Sequence, residues 1–250
     1  MEFLDPFVRM LESIASPAQI RAIERGESTA PLWEVIEASG YLDALVPEAR
    51  GGAGLSMADA FPLFHALGAF AMPAPVAETM VARALADGAH NDPDTDRRIG
   101  AVVAAAAIAG VGDRMLAMTI DYASQRIQFG KPIARQQAVQ QQLAVMAEQV
   151  VMARIAAQIG CAHGLVPPCA IAAIAKQVAS AAAVQIAAIA HAVHGAIGIS
   201  EAHDLSLYTR RLHGWRMAHG SESYWAERLG AVRLASPGLG MVDYIRSITD

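Results

Sequence analysis

The sequence predicts an all-α protein, with an N-terminal helical domain over residues 1–87 and a C-terminal four-helix bundle over residues 97–236. Two observations carry this. Long segments of the second half repeat apolar residues every three or four positions, as a buried helix stripe requires, and nowhere do apolar and polar residues alternate with period two for long enough to build a sheet. Composition agrees: 54% of the 250 residues are hydrophobic, and much of that is alanine, which lets helices approach closely without being strongly apolar.

In the N-terminal part, polar breaks divide the chain into short helices expected at 6–14, 16–24, 31–39, 56–67 and 74–85. Ser16 before Pro17, and Ser56 with Asp59 three residues on, are helix starts, each offering a side-chain oxygen to N–H groups that the first turn leaves without partners. Gly51, Gly52 and Gly54 crowd the segment 46–55 and discourage helix, so a loop is expected there. No Lys-Ser or Lys-Thr follows it, which excludes a phosphate-binding loop. The segment 87–96 is polar and turn-rich, and residues 88–96 read as a linker between the domains.

Beyond it, Ile99, Val103, Ala107, Val111, Met115, Met118 and Tyr122 form the first long stripe. Val139, Leu143, Met146 and Val150 form the second, and Ile171, Ile174, Val178, Ala182, Ile186, Ile189 and Val193 the third. A last helix is expected at about 221–234, and Pro237, Gly238 and Gly240 mark a tail over 237–250.

A net charge of −5 leaves no basic field for nucleic acid. The uncharged stretch 177–200 reaches the ~20 residues that span a bilayer, but Gln177, Ser180, Gln185, His191 and His194 interrupt it, so it reads as a bundle helix and no membrane is expected. The start, Met-Glu-Phe-Leu-Asp-Pro, lacks the basic and apolar regions of a signal peptide, and a cytoplasmic location is expected. Cys161 and Cys169 read as reduced core residues. His191, His194, Glu201 and His203 do not form the facing Glu-x-x-His pairs of a bundle metal site; they read as packing or capping residues, and no metal is expected.

The segment Asp121-Tyr122-Ala123-Ser124-Gln125-Arg126-Ile127-Gln128-Phe129-Gly130-Lys131-Pro132-Ile133, with Gln137-Ala138-Val139-Gln140 after it, resembles the signature joining two C-terminal helices of acyl-CoA dehydrogenases. His194-Gly195-Ala196-Ile197-Gly198 is similar to that family's later His-Gly-Gly-x-Gly element, Lys176 falls where the preceding helix usually carries a lysine, and Val46-Pro47-Glu48 running into Gly51-Gly52-Ala53-Gly54-Leu55 resembles its N-terminal loop. The resemblance implies FAD as cofactor. It assigns Arg126, Gln128, Phe129 and Gly130 to contacts with the FAD of a neighbouring subunit, Gln137 to the adenosine side, and His194, Gly195, Ala196 and Gly198 to close backbone approach. Read without it, Arg126 could equally be a surface salt-bridge former, Phe129 a hydrophobic plug after the helix, and the two glycines a helix cap and turn.

Two features of the family are missing. Its members carry a β-domain between their helical halves, which cannot fit into 88–96. Their catalytic glutamate, the base that removes the α-proton of a thioester, aligns with His219, and the family's other base location aligns with Gly100 or Ala101. Asp96 and Glu222 lie near these positions but read as helix-start or solvent-facing acids. Ser221 and Ser223 stand where the family often has polar flavin contacts, whereas Ala192 replaces a glutamine that usually contacts the cofactor. The expectation is a chain inactive alone: the base-free subunit of a heteromeric acyl-CoA dehydrogenase, sharing FAD with a full-length homologue in an α2β2 assembly. That partner would bind the acyl-CoA and pass electrons to an electron-transfer flavoprotein. The alternative is a structural or regulatory chain that keeps only the family's oligomer interface.

Overall fold

The computed structural model describes residues 3–86, 92–201, 203–236 and 238–249. The described chain is almost wholly helical, as expected. Five short helices, α1 (Leu4–Ile14), α2 (Pro17–Glu24), α3 (Ala30–Ala38), α4 (Met57–Ala69) and α5 (Val76–Ala84), lead into three long ones, α6 (Pro93–Gln125), α7 (Gln137–Ala162) and α8 (Cys169–His194). A one-turn helix α9 (Ala196–Ile199), then α10 (Leu205–Met217), α11 (Glu222–Leu234) and α12 (Met241–Thr249) complete it.

Local chemistry sets several boundaries. Ser16 caps α2 in a reciprocal box with Gln19, and Ser56 caps α4 by accepting from the Asp59 N–H. The expected linker is shorter than the sequence suggested. Residues 87–91 lie outside the described ones, and α6 already starts at Pro93, because Asp92 accepts from the N–H groups of Asp94 and Thr95 while Pro93 takes the first helical position. The expected tail also differs, since 241–249 is helix, and Tyr244 docks against the body with the Arg233 guanidinium over its ring; Pro237 lies outside the described residues. Helix α10 was not foreseen, although Leu205, Tyr208 and Leu212 are buried at helical spacing.

Helix α8 is the centre of the bundle. It packs against α6, α7, α10 and α11, and α10 also lies along α6, so in place of the expected four helices the bundle has three long ones with two shorter ones, α10 and α11, laid against them. The connections between α6, α7 and α8 are short, so the C-termini of α6 and α8 meet the N-terminus of α7 at one end of the bundle. The most apolar stretch of α6 is 83% buried, whereas that of α7 is only 33% buried, which leaves Val145, Val151, Met152 and Ile155 facing outward. By length and composition alone, α6, α7 and α8 could each cross a membrane.

One core runs through both expected domains, from Phe7, Leu11 and Ile36 through Phe64 and Met80 to Ile108, Ile186 and Trp225. The joint is the crossing of α4 on α6, where the backbones touch. A Cβ at Gly68 would stand 2.1 Å from the Ala107 carbonyl oxygen, and one at Gly110 only 1.8 Å from that of His65. Polar links reinforce the joint: His65 Nε2 lies 2.6 Å from Asp113 Oδ2, Glu24 pairs with Arg210 at 2.7 Å, and Arg21 pairs with Asp204.

Candidate functional site

The residues singled out by sequence separate into two groups at opposite ends of α6. The first surrounds its C-terminus. Arg126 follows the helix, its N–H donating to the Tyr122 carbonyl at 2.8 Å, and opens a small antiparallel hairpin with Ile127 opposite Pro132 and Gln128 opposite Lys131. Phe129 and Gly130 form the turn with φ of 53° and 76°. A two-residue hairpin turn needs left-handed backbone at both positions, which suits Asn-Gly and disfavours phenylalanine. The Phe129 ring is nevertheless 92% exposed, so it plugs nothing in this chain. Arg126 is also exposed and makes no ion pair among the described residues, so it is not a salt-bridge former here. Gln128, Gly130 and Gln137, the first residue of α7, are exposed at the same end.

The His194 element lies beside them. His194 ends α8 and is buried, stacked on Tyr122 with ring centroids 4.4 Å apart and met edge-on by His203 at 4.8 Å. Its Nδ1–H donates to the Ala190 carbonyl at 2.8 Å, its Nε2 has no partner among the described residues, and burial lowers its pKa. His203 Nδ1 accepts from the Leu205 N–H, a capping role, and His191 bonds Thr209. Gly195 and Ala196 are exposed, and a Cβ at Gly195 would meet nothing, so backbone here is open to an approaching group. Gly198 is different. It is buried, and a Cβ there would stand 3.0 Å from His194 Cβ and Leu205 Cδ2, so its bareness serves packing within the chain.

The second group lies at the start of α6. The His219 ring covers Gly100 so closely that a Cβ at 100 would be 2.4 Å from Cε1 and Nδ1. His219 holds a left-handed backbone with φ 57°, a strained state that persists because its surroundings fix it. Trp225 Nε1–H donates to the His219 carbonyl at 3.0 Å. Lys176 Nζ, fully buried, donates to the carbonyls of Trp215 at 2.8 Å and Arg216 at 2.7 Å and to Ser180 Oγ at 2.9 Å, closing the end of α10 just before the turn. Burial draws the Lys176 pKa down to about 7, with Glu222 opposing and Arg216 adding to the shift. The His219 pKa is lowered by burial first and then by the charges of Lys176 and Arg97. Glu222 is committed to Arg216, and Asp96 lies exposed in the first turn of α6. Ser221 precedes α11 without a side-chain capping bond, and Ser223 is exposed one position into the turn.

An α-helix rises about 1.5 Å per residue, so Gly100 and Tyr122 are roughly 30 Å apart. Ser221 and Ser223 therefore cannot serve the same contact as Arg126 and Phe129. Of the residues that position the second group, Lys176 carried a visible signal, a lone cation in an alanine-rich helix with a serine four residues on; Trp225 carried none.

Residues 97–232 match the family model for the acyl-CoA dehydrogenase C-terminal domain. The chain belongs to the acyl-CoA dehydrogenase family. Among similar acyl-CoA dehydrogenases, IpdE2 from Mycolicibacterium smegmatis is 26% identical in a match covering 89% of this chain and 94% of that protein. IpdE2 from Mycobacterium tuberculosis is 37% identical, but only over 46% of this chain and 35% of its own length. In fold, the chain resembles a variant of the Tcur3481-Tcur3483 steroid ACAD, with TM-score 0.83, 18% identity and coverage of 95% and 98% of the two chains. It also resembles the ChsE4-ChsE5 complex from Mycobacterium tuberculosis, with TM-score 0.74, 17% identity and coverage of 91% and 94%. Glutaryl-coenzyme A dehydrogenase, at 28% identity and TM-score 0.54, is matched over 57% of this chain but only 37% of its own.

Proposed function

We propose that this chain is a subunit of a heteromeric, FAD-dependent acyl-CoA dehydrogenase, completing across an interface the FAD site of a full-length partner that supplies the β-domain and the catalytic glutamate. The observation that carries it is Phe129, an apolar ring held 92% exposed on a hairpin turn whose backbone disfavours it. A fold that gains nothing from such a residue internally keeps it for something outside.

The groups around it suit a dinucleotide. Arg126 offers a planar fork of N–H donors to a diphosphate, Phe129 an aromatic face, Gln128 and Gln137 amide donors, and Gly195 with Ala196 open backbone. These groups are exposed, so they make one wall of a site rather than an enclosure. FAD, when bound, accepts the hydride leaving the β-carbon of the acyl thioester. Neither family base position holds a carboxylate here, which supports assigning the proton abstraction to the partner. The ChsE4-ChsE5 structure, whose fold this chain shares, is of a complex. The outward apolar face of α7 gives a subunit contact somewhere to form, in keeping with an α2β2 assembly acting on a bulky acyl-CoA ester with an electron-transfer flavoprotein as acceptor.

The test is co-expression with a full-length homologue. A stable, yellow, mixed oligomer is expected, oxidising acyl-CoA, while the chain alone is colourless and inactive. Arg126→Ala should release flavin from the complex without dissociating it. A colourless complex, or flavin retention unmoved by Arg126→Ala, would favour a purely structural subunit.

A further inference from the structure

A groove between α1 and α4 lies apart from both groups of residues on α6. It reaches α6 through the His65–Asp113 pair, and Asp113 is thirteen residues from Gly100 and thirteen from Arg126, roughly 20 Å along the helix in each direction. Leu4 and Val8, one turn apart on α1, form one side. Pro62, Ala66 and Ala69 recur at three or four positions along α4 and form the other, and the short side chains at 66 and 69 leave the space between them open. The groove holds about 340 Å³, compared with the roughly 150 Å³ of an apolar protein cavity that takes up one benzene, so an occupant of about a dozen non-hydrogen atoms fits.

Two polar side chains also line it, Arg154 of α7 and His65 of α4, and no carboxylate does among the described residues. Asp113, outside the lining, is already committed. Its Oδ2 lies 2.6 Å from His65 Nε2, which donates to it, and 3.7 Å from Arg154 Nη1, beyond hydrogen-bond distance. The Asp113 charge screens Arg154 but takes none of its donors, so the guanidinium makes no hydrogen bond among the described residues. Arg154 thus stands half buried beside apolar surface with a planar fork of N–H groups to spare, the geometry that grips a carboxylate through two parallel bonds. A cationic head group would be repelled there, and a neutral one would leave the fork half used.

We propose that this groove binds an unbranched aliphatic carboxylate, its chain lying between α1 and α4 and its carboxylate on the Arg154 guanidinium. The apolar walls reward burial of the chain, and the one charged contact fixes its direction and selects its head group, the usual division of labour in small-molecule sites. A chain follows from the shape, since the space runs between two helices and suits an extended body better than a fused ring system. The site lies within this one chain and needs neither flavin nor partner, so it stands or falls separately from the proposed role at the hairpin.

The experiment titrates the full chain with decanoate, decanol and decyltrimethylammonium, each below the concentration at which it forms micelles. Methyl NMR signals of Leu4 and Val8 report on the groove, and those of the exposed Val145 and Val184 report on adsorption elsewhere. Decanoate should shift the groove signals saturably, leave Val145 and Val184 in place, and bind about tenfold or more tightly than decanol, as a bond to a charged group allows; decyltrimethylammonium should bind the weakest. Arg154→Gln should bring decanoate down to the affinity of decanol and leave decanol unchanged. Val8→Trp should fill the groove and abolish binding of both. Neither Arg154 nor Val8 is fully buried, so the variants should melt close to the wild type. An absence of saturable shifts at Leu4 and Val8, equal affinity for decanoate and decanol, equal shifts at Val145 and Val184, or decanoate affinity unmoved by Arg154→Gln would overturn the proposal.

Discussion

The imidazole of His219 rests on the bare Cα of Gly100, and the two are mutually exclusive with any side chain at 100. These are the two positions at which the family resemblance locates a catalytic base, and here they pack directly on each other with a carboxylate at neither. Gly100→Ala should therefore push the ring out of place and destabilise the fold by about 1–3 kcal/mol, the usual cost of overpacking. Combining it with His219→Ala should recover most of that loss, because the clashing ring is gone. Thermal melts of the two single variants and the double one measure this; additive losses would show that Gly100 is constrained by something other than His219.

Lys176 gives a pH dependence with a definite sign. Unfolded, its amine holds a proton up to about pH 10.5; folded, burial makes it release the proton near 7. Between those values the unfolded chain binds more protons, so raising pH favours the folded state, by up to about 1.4 kcal/mol per unit from this group. Below pH 7 both states are protonated and the full cost of burying the cation is present. Lys176→Met removes that slope and leaves the Trp215 and Arg216 carbonyls without their donor. Its stability deficit, about 2–4 kcal/mol at pH 8 from two lost bonds, should shrink towards pH 6. Urea unfolding at several pH values between 6 and 8.5 checks this; a deficit independent of pH would mean that the folded amine is not depressed. The buried Cys161 thiol, pushed up to about 12 by burial, acts only above that range.

Much of the architecture was legible because helix formation here follows local rules. The stripe from Ile99 to Tyr122 named the buried face of α6, and Ser16 and Ser56 named two helix starts. What could not be read was the ending of order. Asp92 looked like part of a polar linker because a helix cap and a loop use the same residue types, and only its two bonds to following N–H groups decide between them. The site was half legible. Arg126 and Phe129 came from motif, and their exposure could not have been inferred from it. That Gly198 is needed for packing was not visible, because bareness for packing and bareness for ligand approach look identical in sequence. Trp225 was missed because nothing in the sequence marks the bond its indole N–H makes back to the His219 carbonyl, six residues earlier.

Two glycines in helices should respond oppositely to the same substitution. Gly110 sits where α6 touches α4, and an added Cβ would be 1.8 Å from the His65 carbonyl oxygen. Gly110→Ala must part the helices, with a loss of at least about 1–3 kcal/mol, and should lengthen the His65–Asp113 bond. Gly214 lies inside α10 with nothing within 4 Å of its added Cβ. Gly214→Ala should stabilise by about 0.4–1 kcal/mol, since alanine has less freedom to lose on folding. Chemical denaturation of both proteins tests the pair. Equal effects would contradict the close crossing on which the attachment of the N-terminal helices depends.

Phe129 allows stability and function to be separated. Asparagine followed by glycine is the pair that a turn with left-handed backbone at both positions prefers, and position 130 is already glycine. Phe129→Asn should thus relieve the unfavourable backbone of residue 129 and raise the stability of the isolated chain by up to about 1 kcal/mol, since the left-handed cost for an ordinary residue is about 1–2 kcal/mol. It also removes a side chain that is almost wholly exposed among the described residues. In the mixed complex the same change should act in the opposite sense, weakening flavin retention because the aromatic contact across the interface is gone. Melting temperature of the free chain and flavin absorbance of the complex after gel filtration read the two effects separately. A stabilised chain with undiminished flavin would show that the ring has no role at the shared site, whereas a destabilised chain would show that Phe129 supports its own fold after all.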